Sequence, residues 1–247
     1  MKLFIDIGNT AIKLLTCSGD VLDFIGRFYT KELSDDKLDV FLKHQKFDEV
    51  VISSVVPKLN KHFKEYCFTR FNLEPRFIKV GDYPEVKVDI DNPKELGVDL
   101  YCDIVAGYQL AKIDKKPVLI IDLGTATKIM LIDEDGLFNS CVILPGIELS
   151  KKILSSETAQ LPYVSSDEIK KVTEARNTID VINSSVYYAH VDAINGIIAR
   201  FEKELKKTCH YIITGGNAAL IEKDIKGPHD LNPLMCFYGI YEIVNQG

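Results

Sequence analysis

The chain has 247 residues, 46% of them hydrophobic and 27% charged, the balance of a folded protein with a sizeable core and room for two small domains. A net charge of -6 weighs against a partner held by clustered lysines and arginines, so no direct nucleic-acid binding is expected. Six cysteines stand far apart without a C-x-x-C pair, which suggests neither a zinc site nor a disulfide framework. With no basic and apolar leader and no run near the roughly 18 apolar residues of a membrane span, a cytoplasmic protein is expected.

In chain order, Leu3-Phe4-Ile5-Asp6-Ile7-Gly8-Asn9-Thr10 reads as a buried strand ending in a polar turn. A second strand over Ala11 to Cys17, a Ser18-Gly19-Asp20 bend and a third strand from Val21 follow. Helices are predicted over Asp35 to Gln45, over Pro57 to Phe71 with Pro at the first turn, and over Pro93 to Lys112. A strand through Val50-Val51-Ile52 precedes the second of them.

The opening pattern then returns. Leu119-Ile120-Ile121-Asp122-Leu123-Gly124-Thr125 leads into a strand over Ala126 to Ile132, a Glu134-Asp135-Gly136 turn and a run from Leu137 to Leu144. A long helix over Thr178 to Lys207 has an apolar seam wide enough for a second subunit or a covered interior. Tyr211-Ile212-Ile213-Thr214-Gly215-Gly216 then delivers a strand into two glycines and a helix start. Alternating strands and helices make this an α/β protein of two lobes, each a mixed sheet with flanking helices. The N-terminal lobe is expected over 1–114 and the C-terminal lobe over 115–247, joined near Lys112 to Lys116.

An isolated Asp-x-Gly is most often just a strand end, but two copies with the same flanks point to phosphate binding. Glycine at 8 and 124 lets the backbone approach a phosphate and take conformations barred to other residues. Thr10, Thr125 and Thr127 can offer hydroxyls, and Asp6 or Asp122 can hold a hydrated Mg2+. Lys13 can reach a phosphate as a point charge. The helix after Gly215-Gly216 would add unpaired N–H groups for a nucleotide.

The ordered series Asp6-Ile7-Gly8-Asn9-Thr10 with Lys13, Ile52 to Pro57, Asn92 to Asp99, Asp122 to Ala126, Pro145-Gly146-Ile147, Thr158 to Pro162, Asn177-Thr178 and Thr214-Gly215-Gly216 resembles the type III pantothenate kinase family over nearly the whole chain. The resemblance implies a two-lobed actin-like ATPase (ribonuclease H-like) fold and ATP-dependent phosphorylation of pantothenate to 4'-phosphopantothenate, the first step of coenzyme A biosynthesis. It implies Asp99 as the catalytic base and ATP bound by Asp6, Gly8, Asn9, Thr10, Lys13, Thr125, Gly215 and Gly216. Pantothenate would lie against Gly97, Val98, Asp99 and Leu100, with Thr178 supplied across a homodimer. Asp6 would hold Mg2+ through water, and Asp122 would ligate a monovalent cation, K+ or NH4+.

Several positions depart from the family pattern. Leu100 stands where an arginine follows the catalytic Asp, removing a bidentate donor, and Ile90 stands where Tyr is common. Lys128 replaces a hydroxyl residue, Ser140-Cys141 replaces a glycine pair, and Arg176 and Ser185 stand where glycine is common. Two other readings therefore stay open: an altered relative acting as a Baf-type transcriptional accessory or regulatory protein, and a kinase of another small alcohol.

Overall fold

A computed structural model describes residues 1–165 and 168–246, which form an α/β protein of two compact units. One unit comprises Met1–Gln109 with the C-terminal stretch from Leu234, the other Leu110–Pro233. This grouping differs from a division after residue 114 by a few residues of one helix and by the return of the C-terminal stretch.

The first unit opens with three antiparallel neighbours, β1 (Lys2–Ile7), β2 (Ala11–Ser18) and β3 (Val21–Tyr29). On the far side of β1, β4 (Glu49–Ser54) and β5 (Arg76–Phe77) add in parallel, giving the order β3-β2-β1-β4-β5. The crossovers contain α1 (Asp35–Leu42), capped by the Ser34 hydroxyl accepting from the Lys37 N–H, and α2 (Pro57–Phe71), opened by its proline. Leu3, Ile5 and Ile7 enter one core with Ile12, Leu14, Leu38, Ile52 and Phe63. Strand alternation turns Phe4 and Asp6 to the opposite face, so the acid is placed by the same pattern that builds the core.

After the short strand β6 (Lys87–Val88), the helix expected from Pro93 is two pieces. A 3-10 turn over Pro93–Glu95 ends at an extended Leu96, and α3 (Val98–Asp114) begins beyond Gly97. Glycine at this point breaks the helix, which then runs through a mostly buried stretch from Tyr101 to Tyr108.

The second unit repeats the plan. Antiparallel β7 (Val118–Leu123), β8 (Ala126–Ile132) and β9 (Leu137–Pro145) are followed by α4 (Ile147–Ser156) and α5 (Thr178–Leu205). Then come β10 (His210–Thr214), α6 (Ala218–Ile221) and β11 (His229–Leu231). β10 pairs in parallel with β7, and β11 with β10, so β9-β8-β7-β10-β11 matches β3-β2-β1-β4-β5 strand for strand. The duplicated sequence pattern is therefore a duplicated sheet. Its core gathers Leu119, Ile121, Ile129, Ile182, Ile194 and Ile213, with Asp122 again on a strand whose alternate residues are buried.

The last helix, α7 (Met235–Val244), belongs to the first unit and contacts β1. A β-carbon at Gly239 would lie 1.9 Å from the Cys102 carbonyl oxygen, so α7 and α3 meet backbone to backbone.

Candidate active site

In the first unit, the turn joining β1 to β2 carries Gly8, Asn9 and Thr10. The Gly8 N–H donates to the Ala11 carbonyl at 3.0 Å. Thr30, which sequence reasoning missed, clamps the turn: its hydroxyl donates to the Gly8 carbonyl at 2.7 Å and its N–H to the Thr10 carbonyl at 3.0 Å. Asn9 and Thr10 are left exposed. Neither Gly8 nor Gly124 has a positive φ, contrary to the conformational reason expected for them. At these positions the missing side chain, and not a special backbone shape, leaves the turn open.

Asp6 and Lys13 face each other across β1 and β2, with the Lys13 Nζ 3.3 Å from the Asp6 carboxylate. The Asp6 side chain is 8% exposed and that of Lys13 34%. Burial works against the Lys13 ammonium, but the charge of Asp6, with that of Asp103, outweighs it and holds the pKa above the usual lysine value. Asp103 is a second residue missed in the sequence, buried one helical turn beyond Asp99 on α3. Burial raises the Cys102 thiol pKa and Asp103, Asp6 and Asp99 raise it further, against a hydrogen bond from Cys236 that lowers it. Asp6 and Asp103 thus lie near both Lys13 and a pair of protonated thiols, beside the buried Ser53 that pairs in register with Asp6.

Asp99 lies in the first turn of α3, half-buried between Val98 and Leu100, and its carboxylate accepts from the Leu100 N–H at 2.8 Å. A β-carbon at Gly97 would sit 2.5 Å from that carboxylate. Gly97 therefore leaves the space the acid occupies.

In the second unit, the β7–β8 turn is packed by backbone from two other segments. The Gly146 N–H donates to the Thr125 carbonyl at 3.0 Å and the Asn217 N–H to the Leu123 carbonyl at 2.9 Å. Gly215, at φ +96°, lies so close that a β-carbon would come 2.5 Å from the Leu123 nitrogen. Thr125 and Gly216 are exposed beside it. The helix expected after the glycines is only the four-residue α6, too short to offer the anion-binding N-terminus foreseen for it.

Thr127 is a correction. Its side chain is buried against His190 at 2.7 Å and is not available to a phosphate. Burial also pulls the His190 pKa below the ordinary histidine value. Thr178 is the exposed first residue of α5, whose N-cap Asn177 accepts from the Asp180 N–H, and Arg176 is exposed just before it. Asp122, expected to ligate a monovalent cation, instead accepts from the Lys128 Nζ at 2.7 Å. Among the described residues no three His, Cys, Asp or Glu side chains form a ready-made metal cluster, and no helix is long and apolar enough to cross a membrane.

Paired copies of this sheet, each with an acid and a glycine-bearing turn at the end of its central strand, define the actin-like ATPase fold. A crystal structure of a conserved Baf family protein from Campylobacter jejuni, described as a transcriptional activator, is similar in fold, with a TM-score of 0.61 at 20% identity over 98% of this chain and 96% of that one. The ethanolamine utilization protein EutJ from Carboxydothermus hydrogenoformans matches at a TM-score of 0.51 and 13% identity over 97% and 88%.

Within that class the family is specific. The family model described as type III pantothenate kinase matches residues 2–200, and the chain belongs to that family. Relatives named type III pantothenate kinase include one from Persephonella marina, 30% identical over 98% of both chains. Another, from Halalkalibacterium halodurans, is 32% identical over 90% of this chain and 89% of that one.

Proposed function

We propose that the protein transfers the γ-phosphoryl group of ATP to pantothenate, giving 4'-phosphopantothenate at the start of coenzyme A biosynthesis. The family match over residues 2–200 carries this reading, because the Asp6–Lys13 hairpin, Asp99 and the Asp122–Thr125 turn all fall inside it. Asp99 is the base that accepts the substrate hydroxyl proton as the oxygen attacks phosphorus. Its half-exposed carboxylate, given room by Gly97 and steadied by the Leu100 amide, suits that task. Val98 and Leu100 flank the acceptor.

Asn9, Thr10 and the Gly8 backbone bind ATP phosphates, and Thr125, Gly215 and Gly216 also bind the nucleotide. Lys13 adds positive charge to the first set. Mg2+ fits at Asp6, since Asp6 and Asp103 together exceed the charge of Lys13 and the ion needs only one or two carboxylates besides water and phosphate. When bound, the ion spreads the negative charge of the transferring group. A homodimer is part of the same proposal, supported by the exposed Ile179 and Val181 next to Thr178 on α5.

The test is steady-state phosphorylation of pantothenate by the purified protein with MgATP, alongside an Asp99→Asn variant. We expect the variant to lose about 10²–10⁴ in kcat, the usual worth of a general base, at an unchanged melting temperature. Absence of turnover in the wild type would refute the assignment.

A further inference from the structure

The family resemblance implies K+ or NH4+ at Asp122, and the residues present do not fit it. The Lys128 Nζ already lies 2.7 Å from one Asp122 oxygen, with side-chain exposures of 20% for the lysine and 14% for the acid. On the other oxygen's side stand Gly215, where a β-carbon would be 2.7 Å from Oδ1, and Gly124, where it would be 3.5 Å away. A second cation would have to displace the ammonium or sit beside it, and like charges disfavour each other in such a place.

The sheet explains why the lysine holds the acid so directly. Asp122 and Lys128 are directly opposed on antiparallel β7 and β8, so their side chains leave the same face a few ångströms apart. Asp6 and Lys13 are opposed in the same way on β1 and β2. Lys13 follows its acid by seven residues and Lys128 by six, because the second turn is one residue shorter. Lys128 is thus the structural counterpart of Lys13, delivered to the same place by a different spacing.

We infer that Lys128 is a built-in cation at Asp122, supplying from the chain the positive charge that a monovalent ion would otherwise bring, so that the protein works without K+ or NH4+. The inference rests on the kinase reading for its kinetic consequence only. Lys128 acts through Asp122 and the Leu123-Gly124-Thr125 turn, which makes it a positioning residue.

The first measurement is calorimetric titration of wild-type protein with Tl+, a K+ mimic, in choline buffer. No saturable site is expected. A wild-type site that disappears in Asp122→Asn would overturn the inference whether or not the protein is a kinase. The second is pantothenate phosphorylation in choline, KCl and NH4Cl. Wild-type rates are expected to agree within about twofold, whereas Lys128→Thr is expected to gain a Tl+ site and to be stimulated about tenfold or more by K+ or NH4+. Lys128→Met serves the same purpose if the threonine variant does not fold.

A wild type active only with K+ or NH4+ overturns the inference and leaves the kinase assignment standing. A folded variant indifferent to every cation overturns it too. If the wild type phosphorylates nothing in any salt, the assignment fails and the Tl+ titration alone decides.

Discussion

Gly215→Ala tests whether the close packing of backbone around the β7–β8 turn is built on this glycine. Two costs add. At φ +96° an L side chain is held in a region that costs about 1–3 kcal/mol. The new carbon would also lie 2.5 Å from the Leu123 nitrogen and 2.6 Å from its carbonyl carbon, and relief of such overpacking costs a further ~1–3 kcal/mol. The sum, about 4 kcal/mol, is a large share of the roughly 5–15 kcal/mol that stabilises a domain. For a protein of this size it corresponds to a fall of about 8–16 °C in melting temperature. Gly216 is the control, because a β-carbon there meets nothing within 4 Å and its φ is not positive. Calorimetric scans of both variants decide the matter. Gly216→Ala should melt within about 2 °C of wild type while binding ATP more weakly, as expected of a surface position without such features. A Gly215→Ala protein as stable as its neighbour would show that the turn relaxes freely and that the reasoning is wrong.

Three other perturbations follow from the same geometry. Lys13→Met leaves a buried Asp6 without its ammonium; because the lysine is a third exposed, the loss should be about 1–2 kcal/mol, below the 3–5 of a fully buried pair. The raised Lys13 pKa means that this stability is present below the unfolded value, and the gap between wild type and variant should close only as pH rises beyond about 10.5. His190 has a lowered pKa, so the unfolded chain takes up its proton first and stability should decline as pH falls below about 6.5; His190→Gln should flatten that part of a melting-temperature profile, and parallel profiles would refute it. Thr30→Val removes a hydrogen bond worth about 1 kcal/mol from the Gly8 carbonyl and should raise KM for ATP more than it lowers kcat, whereas an unaltered KM would leave Thr30 a purely structural residue.

The duplicated hairpin was legible because three large apolar residues, an acid and a glycine turn form a local pattern, and strand alternation alone puts Asp6 and Asp122 on a defined face. α2 was legible from residue to residue, since Pro57 marks its start and the left-handed Asn72 its end. What could not be read depends on partners distant in sequence. Thr127 has the same local setting as its exposed neighbour Thr125, and only His190, arriving from α5, makes it a core residue. Asp103 was within reach, since four residues beyond Asp99 is the next position on the same helix face, yet its burial among acids depends on α7 returning to the first unit. That return rests on Gly239 meeting the Cys102 backbone, a contact with no local signal.

Lys128 shows how a departure from a family pattern changes meaning once register is known. Read along the chain, it is a hydroxyl residue lost. Read across the sheet, it is the repeat of Lys13, hidden by a turn one residue shorter. The two copies then differ in electrostatics more than in shape. Lys13 feels both Asp6 and Asp103, an excess of negative charge that, on the function proposed above, a divalent ion arriving with the nucleotide would offset. At Lys128 the ammonium meets the Asp122 carboxylate directly, at 2.7 Å. On the two proposals above, the same hairpin recruits a cation in one unit and dispenses with one in the other, and the difference follows from Asp103, which α3 brings to the first copy.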